Sequence, residues 1–167
     1  MKILVKLLWQ VSHNRKMKFP DLPSDAESVE TGIDFQAEDV DFQLVNVDKI
    51  VNWIEHIIQL HQKRLGSISY IFCSDVYLHK INLEYLQHDT YTDIITFPLK
   101  KKPIEGDIFI SLDRVRENAQ SFGVAFEHEL HRVIIHGALH LCGYKDKSPA
   151  QRKRMTELEN ESLLLLN

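Results

Sequence analysis

The run His136-Gly-Ala-Leu-His140-Leu-Cys-Gly143-Tyr-Lys-Asp146 decides how this 167-residue chain is read. The residues before it, Glu127 to Ile135 (EHELHRVII), have a helix-compatible composition. At about 100° per residue, His140 lies only about 40° round from His136. Two imidazoles four apart on one helix face can share one ion. Gly143 follows where a left-handed residue ends a helix and lets the chain fold back toward the same face. Asp146 then brings a hard carboxylate oxygen suited to complete a three-ligand site, with a fourth position open for water. The spacing is the metzincin ligand layout with Asp in place of the last His.

The residue after the first histidine narrows the chemistry. A zincin peptidase carries its general-base Glu there; Gly137 removes that group and disfavours a metallopeptidase. An ion held by two imidazoles and a carboxylate acidifies a bound water, the nucleophile in this reading, and polarises a phosphoryl oxygen. Phosphodiester hydrolysis then asks less of the side chains than amide cleavage does. Arg132, one turn before His136 on the same face, is a candidate for stabilising charge on a phosphate, although the spacing favours an ion pair with Glu129. His88 is the second candidate for proton transfer or phosphate contact. No general base is identifiable.

The central run is similar to H-G-x-L-H-L-x-G-Y-D-H, the hallmark of the YbeY family of metal-dependent endoribonucleases. It matches at His136, Gly137, Leu139, His140, Leu141, Gly143 and Tyr144. The last family His falls on Asp146, and the Asp before it on Lys145. Asn82-Leu-Glu-Tyr85 and His88-Asp-Thr-Tyr-Thr92-Asp93-Ile-Ile-Thr-Phe97-Pro98 resemble the family's LNxxYR…DxxTDVLSFP segment, with Leu86 where a basic residue is common. Gly106-Asp107-Ile-Phe-Ile110 resembles its GDIxI strand. Three motifs in order span roughly residues 45 to 160.

The resemblance implies an α+β, zincin-like single domain: a small mixed β-sheet packed against helices, with the metal on the HGxLH helix at the mouth of a cleft beside the sheet edge. It implies one Zn²⁺ held by His136, His140 and Asp146; the carboxylate also makes Mn²⁺ possible. The activity implied is a single-strand-specific endoribonuclease in ribosomal RNA processing, especially small-subunit three-prime end maturation, and in ribosome quality control. RNA is the expected partner, with the ribosome or assembly proteins beside it. The alternative is a non-catalytic assembly factor in which RNA is bound but not cut and the metal is structural.

With 44% hydrophobic residues the chain has enough apolar content for one compact domain. A net charge of −4 argues against broad electrostatic capture of nucleic acid, so RNA contacts must be local. Lys100, Lys101 and Lys102 are the first candidates, with Asp93 and Thr96 shaping the cleft. Two cysteines make no disulfide framework and fit a reducing cytosol. Cys142 lies about 240° round from His136 and reads as a small buried residue. No apolar run reaches roughly 18 residues, and MKILVKLLWQV lacks a small-residue cleavage site, which predicts a soluble, cytoplasmic protein without a membrane partner.

Residues 1–40 read as a poorly ordered lead-in, polar and acidic from 11 onward, and residues 41–167 as the hydrolase domain. Strands are predicted at Phe42–Val45, Ser67–Cys73, Ile94–Phe97 and Asp107–Leu112, the last two as a hairpin-like pair. Helices are predicted at Asp48–Arg64, Val76–Tyr85, Arg114–Phe122, Phe126–Cys142 and Pro149–Leu165, the last with Ser148 as N-cap and Pro149 at N1.

Overall fold

The computed structural model describes residues 32–166. Its elements, in chain order, are β1 (Gly32–Ala37), α1 (Val47–Leu60), β2 (Leu65–Cys73), α2 (Asp75–Ile81) running into a single π turn (Asn82–Leu86), β3 (Ile94–Lys101), β4 (Ile104–Ser111), α3 (Leu112–Phe122), α4 (Phe126–Cys142) and α5 (Pro149–Leu164). The four strands form one mixed sheet in the order β1-β2-β4-β3. β1 and β4 each pair parallel with β2, and β3 pairs antiparallel with β4. The α+β class with a small mixed sheet is therefore what the chain adopts.

The central strand β2 is buried along nearly its whole length because both sheet faces are covered. Ile68, Tyr70 and Phe72 point to one face, where Ile54, Ile58, Ile134 and Leu139 from α1 and α4 meet them. Ile71 and Cys73 point to the other and pack with Leu78, Ile95 and Phe109. This two-residue alternation lets nine consecutive residues serve two cores. Burial raises the Cys73 thiol to a pKa of about 12 and that of Cys142 to about 11, so both are inert apolar fillers. Both are free.

Several assignments differ from the sequence reading. Gly32–Ala37 falls inside the segment expected to be a lead-in, yet it forms the edge strand β1, with Ile33 and Phe35 packed on the core. Residues 1–31 lie outside the described residues. Phe42–Val45 is not a strand: it pairs with none of the four strands and leads instead into α1. Its apolar spacing has another cause: Phe42 packs edge-on to Phe72 and Phe126 at 5.0 and 6.3 Å. The first helix ends at Leu60 rather than Arg64, since Gln62 at φ 56° turns the chain into β2. The predicted hairpin is present, longer than expected at both strands. Ser148 caps α5 as a full capping box with Gln151. Among the described residues, no helix is long and apolar enough to cross a membrane.

Candidate metal centre and its cleft

The predicted helix Phe126–Cys142 is observed with those bounds. It lies across β3 and β4 so closely that a Cβ on Gly137 would meet Ile108 at 2.9 Å and Ile94 at 3.0 Å. Position 137 thus points into the sheet rather than at the ligand face, so the residue that would be the peptidase base has no room for a carboxylate. His136 and His140 emerge beside that sheet-facing side, about 100° and 60° round the helix from Gly137, with ring centroids 4.4 Å apart and planes nearly perpendicular at 89°. Gly143, at φ 108°, ends the helix: its N–H donates to His140 O at 2.9 Å and that of Tyr144 to Leu139 O at 3.1 Å, the paired bonds of a Schellman motif. The returning chain brings Asp146 Oδ2 to 3.8 Å from His136 Nε2 and 3.6 Å from His140 Nε2.

Ligand atoms of these three residues all lie within 4.8 Å of one another. A tetrahedral ion with bonds of about 2.0 to 2.1 Å needs donors roughly 3.3 to 3.4 Å apart, so a contraction of a few tenths of an ångström would bring Asp146 to that spacing from both imidazoles. The imidazoles are already turned for it. The Nδ1–H of His136 donates to Glu159 Oε1 at 2.7 Å, and that of His140 to the Tyr144 carbonyl at 2.9 Å. Each ring is thereby fixed with Nε2 facing Asp146, the outer-partner arrangement that orients metal-ligating histidines. The carboxylate–histidine pair was not legible in the sequence.

Burial pulls the His136 pKa down, but the hydrogen bond and charge of Glu159, with Asp93 and Asp146, more than offset it and hold it above 6.5. His140 goes the other way: burial and the neighbouring His136 lower its pKa. His140 is thereby shifted toward the neutral form in which an imidazole ligates, while His136 is shifted toward the protonated form, against which a metal would compete.

Arg132 is held by carboxylates and an amide. Its Nη1 donates to Asn160 Oδ1 at 2.8 Å and to Glu159 Oε2 at 3.3 Å, and its Nε lies 3.7 Å from Glu129 Oε2. The expected Glu129 contact exists, but Glu159, buried and shared with His136, is the closer ionic partner. Burial raises the Glu129 carboxyl's pKa, partly opposed by Arg132.

Two cavities meet at the cluster. The larger, about 760 Å³, runs between the C-terminal half of α4 and the edge strand β3. His88, Asp93, Thr96, Lys101 and Lys102 line it, as does Leu86. Lys100 does not line it; its Nζ pairs with Glu105 at 3.4 Å. Lys63 and Lys145 add charge; Lys145 stands directly before Asp146 in the sequence, whereas Lys63 carries no local signal that separates it from other surface lysines. Asp93 accepts from Asn118 at 3.2 Å, and Thr96 Oγ1 is buried without a protein partner. Tyr144 closes the helix end of this cavity, its hydroxyl 3.1 Å from His61 Nδ1. The second cavity, about 630 Å³, lies on the Arg132 side and shares Asp93, Ile94, His136 and Asp146 with the first.

A family model described as Endoribonuclease YbeY matches residues 33–167. The Endoribonuclease YbeY of Bacteroides thetaiotaomicron is 48% identical over 134 residues, covering 80% of this chain and 98% of that protein. That of Christiangramia forsetii is 51% identical over 136 residues, covering 81% and 94%. Among solved structures, the solution structure of TM1509 from Thermotoga maritima is similar with a TM-score of 0.57 and 27% identity, covering 80% of this chain and 88% of that one.

Proposed function

Because the chain belongs to the endoribonuclease YbeY family and is an endoribonuclease, a hydrolase acting on RNA, we propose that His136, His140 and Asp146 hold one divalent ion and that RNA is cut where the two cavities meet. The observation that carries this reading is the convergence of three ligand atoms within 4.8 Å on two imidazoles whose other nitrogens are already engaged. Mixed nitrogen and carboxylate donors suit Zn²⁺, with Mn²⁺ as the harder alternative. Such an ion supplies Lewis acidity toward a phosphoryl oxygen and a water.

The protein's own residues bind and orient. Lys101 and Lys102, with Lys63 and Lys145, attract the phosphodiester backbone into the larger cavity. His88 stands at that cavity as a phosphate contact, while Asp93 and Thr96 shape its floor beside the cluster. Arg132 acts through Glu159 on His136 rather than on the phosphate, because its guanidinium is already engaged. A concave site suits a single strand, whose backbone can turn inward. The substrate proposed is single-stranded ribosomal RNA, with small-subunit three-prime end maturation and ribosome quality control as its setting, the cytoplasm as compartment and ribosomal or assembly proteins as partners. Residues 32–167 are the proposed catalytic domain.

The test is incubation of purified, metal-loaded protein with single-stranded RNA beside His136→Ala, the variant controlling for contaminating nuclease. Cleavage by the wild type and none by the variant is expected; equal cleavage by both would sink the site assignment.

A further inference from the structure

We propose that the second cavity is a subsite for one unpaired nucleobase of the RNA, with Phe122 as its stacking platform. The proposal rests on the endoribonuclease reading and names what lies on each side of the phosphate at the cluster.

The two cavities differ in charge although they share His136 and Asp146. Residues that line only the larger one include Lys63, Lys101, Lys102 and Lys145 and no carboxylate. Those that line only the second include Glu129 and Glu159, and their one arginine, Arg132, is paired with both. A phosphate is drawn to the first and repelled by the second. A neutral group is not repelled.

The rim of the second cavity is apolar. Phe122 is the last residue of α3 and Val124 follows Gly123, whose φ of 66° turns the chain into α4. Phe122 is 66% exposed and Val124 38%, and neither joins either core cluster. An uncovered aromatic ring beside a nuclease cluster offers a π face, which every base can stack on regardless of sequence. Thr156 and the amide N–H of Asn160, in the lining of the same cavity, supply polar partners for a base edge. Continuity with the cluster through His136 and Asp146 places an occupant adjacent to the phosphate being cut. RNA is thus gripped asymmetrically: by phosphates on the lysine side and by a base on the Phe122 side.

The test is binding of the metal-loaded protein to a fluorescent 2′-O-methyl oligoribonucleotide, checked by gel to be uncut, across a salt series. Phe122→Ala should lose roughly ten-fold in affinity at every salt concentration with an unchanged log–log salt slope, because stacking releases no counterions. Phe122→Tyr should retain affinity. The double variant Lys101→Ala, Lys102→Ala should instead flatten the slope by about one to two. Moving a single abasic nucleotide along the strand should reveal one position where base loss costs the wild type about ten-fold and Phe122→Ala nothing further. Unchanged affinity in Phe122→Ala, a loss accompanied by a flatter slope, or additive losses at every abasic position would overturn the subsite. If the wild type binds RNA but cuts none, the nuclease reading fails while the Phe122 comparison still decides the subsite. If it cuts RNA and the Phe122 comparison is negative, only the subsite fails.

Discussion

At the residue scale, Glu159 is the side chain whose importance only its neighbours reveal. It is buried, bonds His136 with one oxygen and Arg132 with the other, and comes from a helix 23 residues away in sequence. Replacing it by Gln keeps an acceptor but removes the charge that makes His136 a better donor. Metal affinity, read by competition with a chromogenic chelator, should fall about ten-fold, at the lower end of what outer partners contribute, with the far-ultraviolet circular dichroism unchanged. The metal-free protein gives a second readout. The pKa of His136 is raised above 6.5 in the fold, so its pairing with Glu159 adds stability below pH 6.5 and loses it as pH rises through the folded value. Melting temperatures of chelated wild type and Glu159→Gln should therefore differ at pH 5.5 and converge in mildly alkaline buffer. A constant gap would assign Glu159 a packing role alone. Asp146 carries the other residue-scale expectation. Asp146→Ala should lose bound metal by elemental analysis, whereas Asp146→His should keep it and raise selectivity for zinc over manganese, because a carboxylate favours the harder ion. Full metal content in Asp146→Ala would show that another donor completes the site.

At the element scale, α4 does two incompatible-looking things: it carries two polar histidines on one flank and lies nearly in contact with the sheet immediately beside them. Gly137 reconciles them. A methyl there would press on Ile108 and Ile94, so Gly137→Ala should destabilise by about 1 to 3 kcal/mol despite alanine's better helix propensity, measured by urea unfolding. A neutral or stabilising result would mean that the isoleucines move aside freely. Gly143 is needed for a different reason. Nothing lies within 4 Å of a Cβ built on it, but its φ of 108° is strained for any L side chain. Gly143→Ala should cost about 1 to 2 kcal/mol and also weaken metal binding, because the same turn aims Asp146. Loss of stability without loss of affinity would separate the turn from the site.

At the scale of the whole molecule, the core is assembled from apolar side chains on both sheet faces and does not depend on the three ligands. Removing the ion should therefore abolish cleavage yet leave the secondary structure intact by circular dichroism, with melting still cooperative at a lower temperature. Unfolding on chelation would make the ion structural. The net charge of −4 is also resolved at this scale. The lysines that line the larger cavity come from the α1–β2 connection, the β3–β4 hairpin and the turn after α4, so a locally basic surface coexists with an acidic chain.

The helix carrying the two histidines, its stop at Gly143, the capping of α5, the β3–β4 hairpin and the convergence of His136, His140 and Asp146 were legible in the sequence. All of them rest on contacts between residues close along the chain, where helical periodicity and turn chemistry act. Strand β1 was not, since six residues next to an acidic stretch become a strand only because β2 offers a parallel edge. Phe42–Val45 has the alternation of a strand and no neighbour to pair with, so pattern alone misassigned it. The partners of the site followed the same division. His136, His140 and Asp146 lie within eleven consecutive residues, whereas Glu159, Lys63 and Phe122 reach the cluster or its cavities from other elements. Which side chain orients a ligand, and which cavity carries charge, depends on elements distant in sequence meeting in space, and only the tertiary packing decides that.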